Sequence, residues 1–227
     1  MAFDRPHKTA AARHADAVPA RPSVRFDISL ISSLLRPASG YAAYAGIGSR
    51  ETPVDILADM RRIGEALAAR GFTLRSGGAD GADLAFEEIS PSVIAPKGNR
   101  PREIYVPWKG FNLPPAKKAI DDRLFPGNSS ADRSITARAQ DIAARAHPAW
   151  QHCSPGAKSL HTRNVHQVLG MKLDSPVRFI IAWTKDGGPT GGTGQAIRIA
   201  NDLGIPVLNL FDRSVRAEIL NVLELSV

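Results

Sequence analysis

Three glycine-rich segments hold the residues of this sequence best suited to chemistry: Gly46-Ile47-Gly48-Ser49-Arg50, Ser76-Gly77-Gly78-Ala79-Asp80-Gly81-Ala82-Asp83 and Gly191-Gly192-Thr193-Gly194. Each follows an apolar run and precedes a stretch with helical periodicity. A glycine turn between a strand and a helix brings unpaired N–H groups and the positive end of the helix dipole to one point, where an anion fits. Phosphate is the expected guest. Gly46 and Gly48 permit a tight turn and a close approach, while the Ser49 hydroxyl and the Arg50 guanidinium can bind and neutralise a phosphate.

The carboxylates near these turns are the candidates for catalysis. Asp80 and Asp83 admit two roles: N-cap and first-turn acid of the helix that follows, or ribose-hydroxyl acceptors and acid/base groups. Glu51 is the third candidate. His147, His152, Cys153, His161 and His166 gather metal-ligand types in one region. His161 and His166 stand about 140° apart on a helix, and no Cys-x-x-Cys pair exists, so neither a metal nor a cofactor is expected. Trp108-Lys109-Gly110-Phe111-Asn112 pairs aromatics with a cation. Such a group can stack bases or simply anchor a loop.

Positioning these groups requires a βαβ frame. Residues 177–184 form a near-continuous apolar run, read as a strand buried on both faces. Ala196, Ile199, Ala200 and Leu203 then recur at helical spacing, Gly204 stops the helix, and 205–210 form another buried strand. Upstream, 41–46 read as a strand. Thr52 is expected as N-cap with Pro53 at the first helical position and Asp55 in a capping-box-like pair. Ile56, Met60, Ile63 and Leu67 make the stripe of that helix, which stops at Gly71. Residues 72–75 are a short strand, and Ala82, Ala85, Phe86 and Ile89 mark the next helix. A short helix is expected over 28–35, a strand over 103–108 and a helix over 134–146. Over 159–172, Leu160, Val165, Val168 and Met171 fall on one half of a helical wheel and Arg163, His166 and Gly170 on the other. Arg163 is therefore expected to face a ligand. The pattern predicts an α/β, Rossmann-like, open and mostly parallel sheet with helices on both faces. All glycine turns then lie at its carboxyl edge, where ligands of such sheets sit.

Composition bounds the reading. A chain of 227 residues, 43% hydrophobic and 22% charged, suffices for one domain with a tail. Residues 1–25 are basic and lack apolar periodicity, so disorder is expected there, with a transit peptide as the alternative. Residues 26–227 are expected to form the domain, with a proline-rich insertion around 109–157. No apolar run reaches the roughly 18 residues of a membrane span. A single cysteine excludes an internal disulfide and fits a cytoplasmic setting. The net charge of +7 and pI near 9.9 favour polyanionic partners.

The three glycine motifs, together with Arg163-Asn164 ahead of a buried strand, resemble in order and spacing the Rossmann-like core of the DprA/Smf DNA-processing proteins. The chain is also similar to the wider SLOG superfamily, which includes the LOG-type nucleoside monophosphate phosphoribohydrolases. The resemblance covers about 41–210, with the middle third poorly matched. It implies a binder of nucleotide phosphate or single-stranded DNA, with Gly46, Gly48, Ser49, Arg50, Ser76, Gly77, Gly78, Asp80, Arg163, Asn164, Gly191, Gly192, Thr193 and Gly194 as ligand contacts. It further implies a homo-oligomer. The alternatives are an N-glycosidase acting on nucleoside 5'-monophosphates and a sensor of a signalling nucleotide. The phosphoribohydrolases carry a catalytic glutamate just beyond the last glycines, where this chain has Ile197 and Arg198. That departure favours binding over hydrolysis.

Overall fold

The computed structural model describes residues 27–37, 40–88, 102–120, 123–126 and 130–225. The expected tail over 1–25, Ile89 of the third stripe, and the prolines at 91, 96 and 101 lie outside the described residues. The fold is α/β, with five parallel strands in the order β3-β2-β1-β4-β5: β1 (Ala42–Gly48), β2 (Phe72–Ser76), β3 (Arg102–Ile104), β4 (Ile180–Trp183) and β5 (Val207–Asn209). Tyr44 pairs with Leu74 on one side of β1, and Ala45 with Ile180 on the other.

Alternation along the strands sorts the core into two layers. Tyr44, Leu74, Phe179, Ile181 and Trp183 point to one face, covered by α1 (Ile31–Leu34), α2 (Val54–Ala69), α3 (Ala82–Glu87) and α7 (Arg213–Val222). Ala43, Ala45, Ile47, Ile180 and Ala182 point to the other, under α4 (Ser130–Arg145), α5 (Pro155–Leu169) and α6 (Gly191–Asp202). The predominance of alanine on this second face admits α5 close to the sheet, where it contacts β1 and β2 and packs between α4 and α6. Residues Thr162 to Leu169 of α5 are consequently all buried. The polar half of its helical wheel faces the protein interior rather than solvent.

Several local expectations shift. α2 begins one residue later than the capping pattern suggests, with Pro53 at the N-cap position and no side-chain cap. Thr52 donates instead to the Ser49 carbonyl at 2.7 Å, and Asp55 pairs with Arg216 at 2.9 Å. Gly81, not Asp80, is the N-cap of α3, while Asp83 is the acid of its first turn. The helix predicted over 159–172 starts at Pro155, capped by the Ser154 hydroxyl accepting from Ala157 N at 3.2 Å, and ends at Leu169. Gly71 and Gly204 stop α2 and α6 at φ of 84° and 69°, as their placement predicts. Leu203, placed on the apolar stripe by its spacing, caps α6 and is 55% exposed. Within 109–157, the region read as an insertion, Ala139 and Ala143 of α4 belong to the second core layer.

Candidate functional site

The chain leaves β1 toward β2 and β3 on one side, and leaves β4 toward β5 on the other. The turns that follow β1 and β4 therefore diverge, opening a crevice at the carboxyl ends of two adjacent strands. A cleft of about 540 Å³ occupies that position. Its walls include Gly48 at the end of β1, Ser49, Arg50 and Glu51 just after it, Thr184 and Lys185 after β4, and Gly191, Gly192 and Thr193 at the start of α6. Asp83, Arg163 and Asn164 line its buried side.

The first turn of α6 supplies the accessible amides. Its helical ladder starts with Gly194 N donating to Thr190 O at 2.9 Å. The N–H groups of Gly191, Gly192 and Thr193 precede that bond and have no carbonyl four residues back within the helix. A Cβ added at Gly191 or Gly192 would meet nothing within 4 Å, so the space before these amides is open. Asp186 accepts from Thr190 Oγ1 at 2.8 Å and from Gly188 N at 3.0 Å, which fixes the approach to the helix. Gly194 itself faces away, where a Cβ would lie 2.1 Å from the Pro189 carbonyl oxygen. It is a packing glycine rather than a ligand contact.

The second glycine turn does not present its amides to the cleft. Gly78 N donates to Glu87 Oε1 at 2.8 Å. With the Gln167 amide turned so that its oxygen faces the loop, Gly77 N donates to that oxygen at 3.0 Å. The Arg163 guanidinium lies against Gly77 so closely that an added Cβ would fall 1.1 Å from Nη1. Arg163 Nη1 also donates to Asp83 Oδ2 at 3.3 Å. Burial raises the Asp83 carboxyl above its ordinary value, opposed by Arg163 and by the Ala79 and Gly48 amides. Burial also lowers Arg163 against the pull of Asp83. Asp83 is thus an internal anion at the junction of the first two glycine turns, and it takes Arg163 as its counter-ion. The sequence assigned that guanidinium to a guest.

The remaining expected residues are dispersed between the core, the rim and the surface outside the cleft. A Cβ at Gly46 would lie 2.6 Å from Phe86 Cγ and 2.7 Å from Leu74 Cδ1, so this glycine admits the core and not a ligand. Ser76 is buried, with its hydroxyl 3.5 Å from the Asp83 carbonyl. Asp80 is exposed and accepts from Asn112 Nδ2 at 2.9 Å, outside the cleft lining. Asn164 Nδ2 donates to Gly192 O at 3.2 Å and to Gln195 Oε1 at 3.1 Å, bracing the start of α6. Glu51 sits on the rim opposite Lys185, 3.5 Å from its Nζ. Arg198, at one position where the phosphoribohydrolases carry their glutamate, donates to the Ala146 and Pro189 carbonyls. In the aromatic loop, Phe111 is buried while Trp108 is exposed and meets it edge-on at 5.2 Å, an anchoring arrangement.

Four cleft or near-cleft residues carried no signal strong enough to single them out as ligand contacts: Lys185, His161, Gln167 and Glu87. Lys185 directly follows the β4 run, and that position was the available clue. Glu87 lies behind Asp83, and burial with the Asp83 charge pushes its carboxyl up to about 7. His161 belongs to a group that helical spacing alone disguises. Its neighbours are not His166, which stacks on Tyr105, but His147 and Cys153. Burial lowers His161 below the usual imidazole range, aided by His147 and the nearby arginines. No helix among the described residues is long and apolar enough to cross a membrane. No protein-family model, no curated protein and no solved structure matches this chain.

Proposed function

We propose that this protein binds the phosphate of a nucleotide, or of single-stranded DNA, at the mouth of the β1–β4 crevice. The observation that carries the reading is the convergence of the open α6 amides, the Ser49 hydroxyl, Arg50 and Lys185 on one cleft at the switch point of a parallel sheet. Helix dipole and cations act in the same direction there. The SLOG resemblance agrees with this chemistry. A DprA-like role in DNA processing and assembly into a homo-oligomer follow from that resemblance, the cytoplasmic setting follows from the single cysteine, and all three form part of the proposal.

Binding ranks above glycosidic cleavage because the cleft carboxylates are otherwise engaged. Asp83 is tied to Arg163, Glu51 stands at the rim beside Lys185, and Asp80 lies outside the lining. Thermal-shift screening of a nucleotide library, with oligonucleotide binding measured across salt, tests the reading. A mononucleotide guest gives a stoichiometric shift and a shallow salt slope, whereas a strand contacting several phosphates loses affinity steeply with salt. Absence of any saturable binding to both classes overturns the proposal. Free base released from a nucleoside monophosphate replaces it with the hydrolase.

A further inference from the structure

His147, just beyond α4, Cys153, at the end of the short 3₁₀ turn Trp150–His152, and His161 on α5 come from separate segments and meet in space. One ligand-type atom from each lies within 4.8 Å of the others. Cys153 Sγ is 3.7 Å from Nδ1 and 3.9 Å from Nε2 of His147, and the two imidazole centroids are 4.3 Å apart. A tetrahedral ion with Zn–S of about 2.3 Å and Zn–N of about 2.0–2.1 Å holds its sulfur and nitrogen roughly 3.6 Å apart. The thiol–imidazole spacing is close to that geometry before any ion is present.

The support behind His161 points to the same use. Gln195 is fully buried. Its Nε2 donates to Ala143 O at 3.0 Å, while its Oε1 accepts from Asn164 Nδ2 at 3.1 Å. The same Oε1 lies 3.1 Å from His161 Nδ1, and two such atoms bond only when Nδ1 carries the proton. Nε2 of His161 is then left with its lone pair, the tautomer and orientation that a carbonyl partner imposes on a metal-bound histidine. His147 Nδ1 accepts from the N–H of Ala149 at 3.2 Å, and Ala149 is exposed, so water can replace that acceptor when the ring turns to an ion.

We propose that His147, Cys153 and His161 bind one transition-metal ion of the zinc class. One thiolate and two imidazoles suit zinc and copper, and disfavour magnesium and calcium. Among the described residues the group has three members, which leaves one coordination position for water, as in zinc sites that act on small molecules. His161 also lines the cleft, so the ion borders the space assigned to the anion. The metal site nevertheless stands independently of any nucleotide.

The test uses the full chain, stripped with a chelator and titrated first with Co²⁺ and then with Zn²⁺, in the absence of nucleotide. About one equivalent of Co²⁺ is expected to produce a thiolate-to-cobalt charge-transfer band, which Zn²⁺ abolishes. Cys153→Ser removes the band, and Gln195→Ala weakens the metal by about 10–100-fold through the lost second contact on His161. Because Cys153 is the sole cysteine, Zn²⁺ protection of the unmodified protein against thiol alkylation reports the same site without any substitution. Absence of the band at saturating Co²⁺, an alkylation rate indifferent to Zn²⁺, or an affinity unchanged in folded Cys153→Ser and His161→Ala overturns the proposal.

Discussion

Asp83 and Arg163 lie eighty residues apart in sequence, yet their side chains meet at 3.3 Å where neither is more than 7% exposed. Taking two charges out of water is costly, and removing one of them strands the other. Asp83→Asn is therefore expected to destabilise the fold by roughly 3–5 kcal/mol, and the double replacement Asp83→Leu with Arg163→Met by less than Arg163→Met alone. Urea unfolding of the three variants checks this. Single-variant losses below about 1 kcal/mol, the range of exposed pairs, would remove the pair from the framework of the site.

Glu87 gives the protein a distinct pH response. Its carboxyl is raised from 4.5 to about 7 in the fold, chiefly by burial and then by Asp83. The folded state thus holds the proton more tightly than the unfolded chain. The corresponding stability is fully present below about 4.5 and is lost as pH rises through about 7. Glu87→Gln keeps an acceptor for Gly78 N and cannot ionise. Its unfolding free energy is expected to vary less than that of the parent protein between pH 5 and 7.5, by roughly 2–3 kcal/mol over that range, as read by urea unfolding at each pH. Parallel pH profiles for the two proteins would contradict the assignment.

The glycines fall into two groups that one pair of variants separates. Gly46→Ala forces a methyl into Phe86 and Leu74 and is expected to cost about 1–3 kcal/mol of stability. Gly192→Asp places an acid in open space at the first turn of α6, which the helix dipole tolerates or favours. Its melting temperature should hold, while affinity for a phosphate guest falls by at least about tenfold, or 1.4 kcal/mol. Calorimetry paired with ligand titration reads both quantities. A Gly192→Asp protein that binds phosphate normally places the anion elsewhere.

The rim charges act in opposition. Lys185 is 80% exposed and faces Glu51 at 3.5 Å, so water screens the pair and little stability rests on it. Lys185→Ala and Arg50→Ala are each expected to weaken an anionic ligand by about 3–10-fold at low salt, whereas Glu51→Gln strengthens it a few-fold. These differences should shrink as salt is raised. Unfolding midpoints should stay unchanged in Lys185→Ala and Glu51→Gln.

Local periodicity made most of the frame legible. The stripe of Ile56, Met60, Ile63 and Leu67 is buried as read; the runs expected over 41–46 and 72–75 overlap β1 and β2, which extend to Gly48 and Ser76, and 177–184 contains β4. Gly71 and Gly204 end their helices because a left-handed residue is required there. Cap details slipped by a residue at Pro53. Side chains such as Thr52 have several partners within reach, and long-range contacts choose among them.

Local spacing accounts for the alternation of strands and helices and for the position of the glycine turns, since each depends on neighbours within a few residues. The parallel sheet follows from that alternation through the right-handed crossover rule, although its pairs, such as Ala45 with Ile180, are far apart in the chain. Tertiary structure alone decided which glycines are open. It packed Gly46 under Phe86, satisfied Gly77 and Gly78 with Gln167 and Glu87, and left Gly191 and Gly192 free. It also gave Arg163 to Asp83 and His161 to His147 and Cys153. A helical wheel separates one side of α5 from the other, but it cannot tell that both sides are buried. Ion pairing and ligand clustering depend on distances across elements that no local spacing encodes.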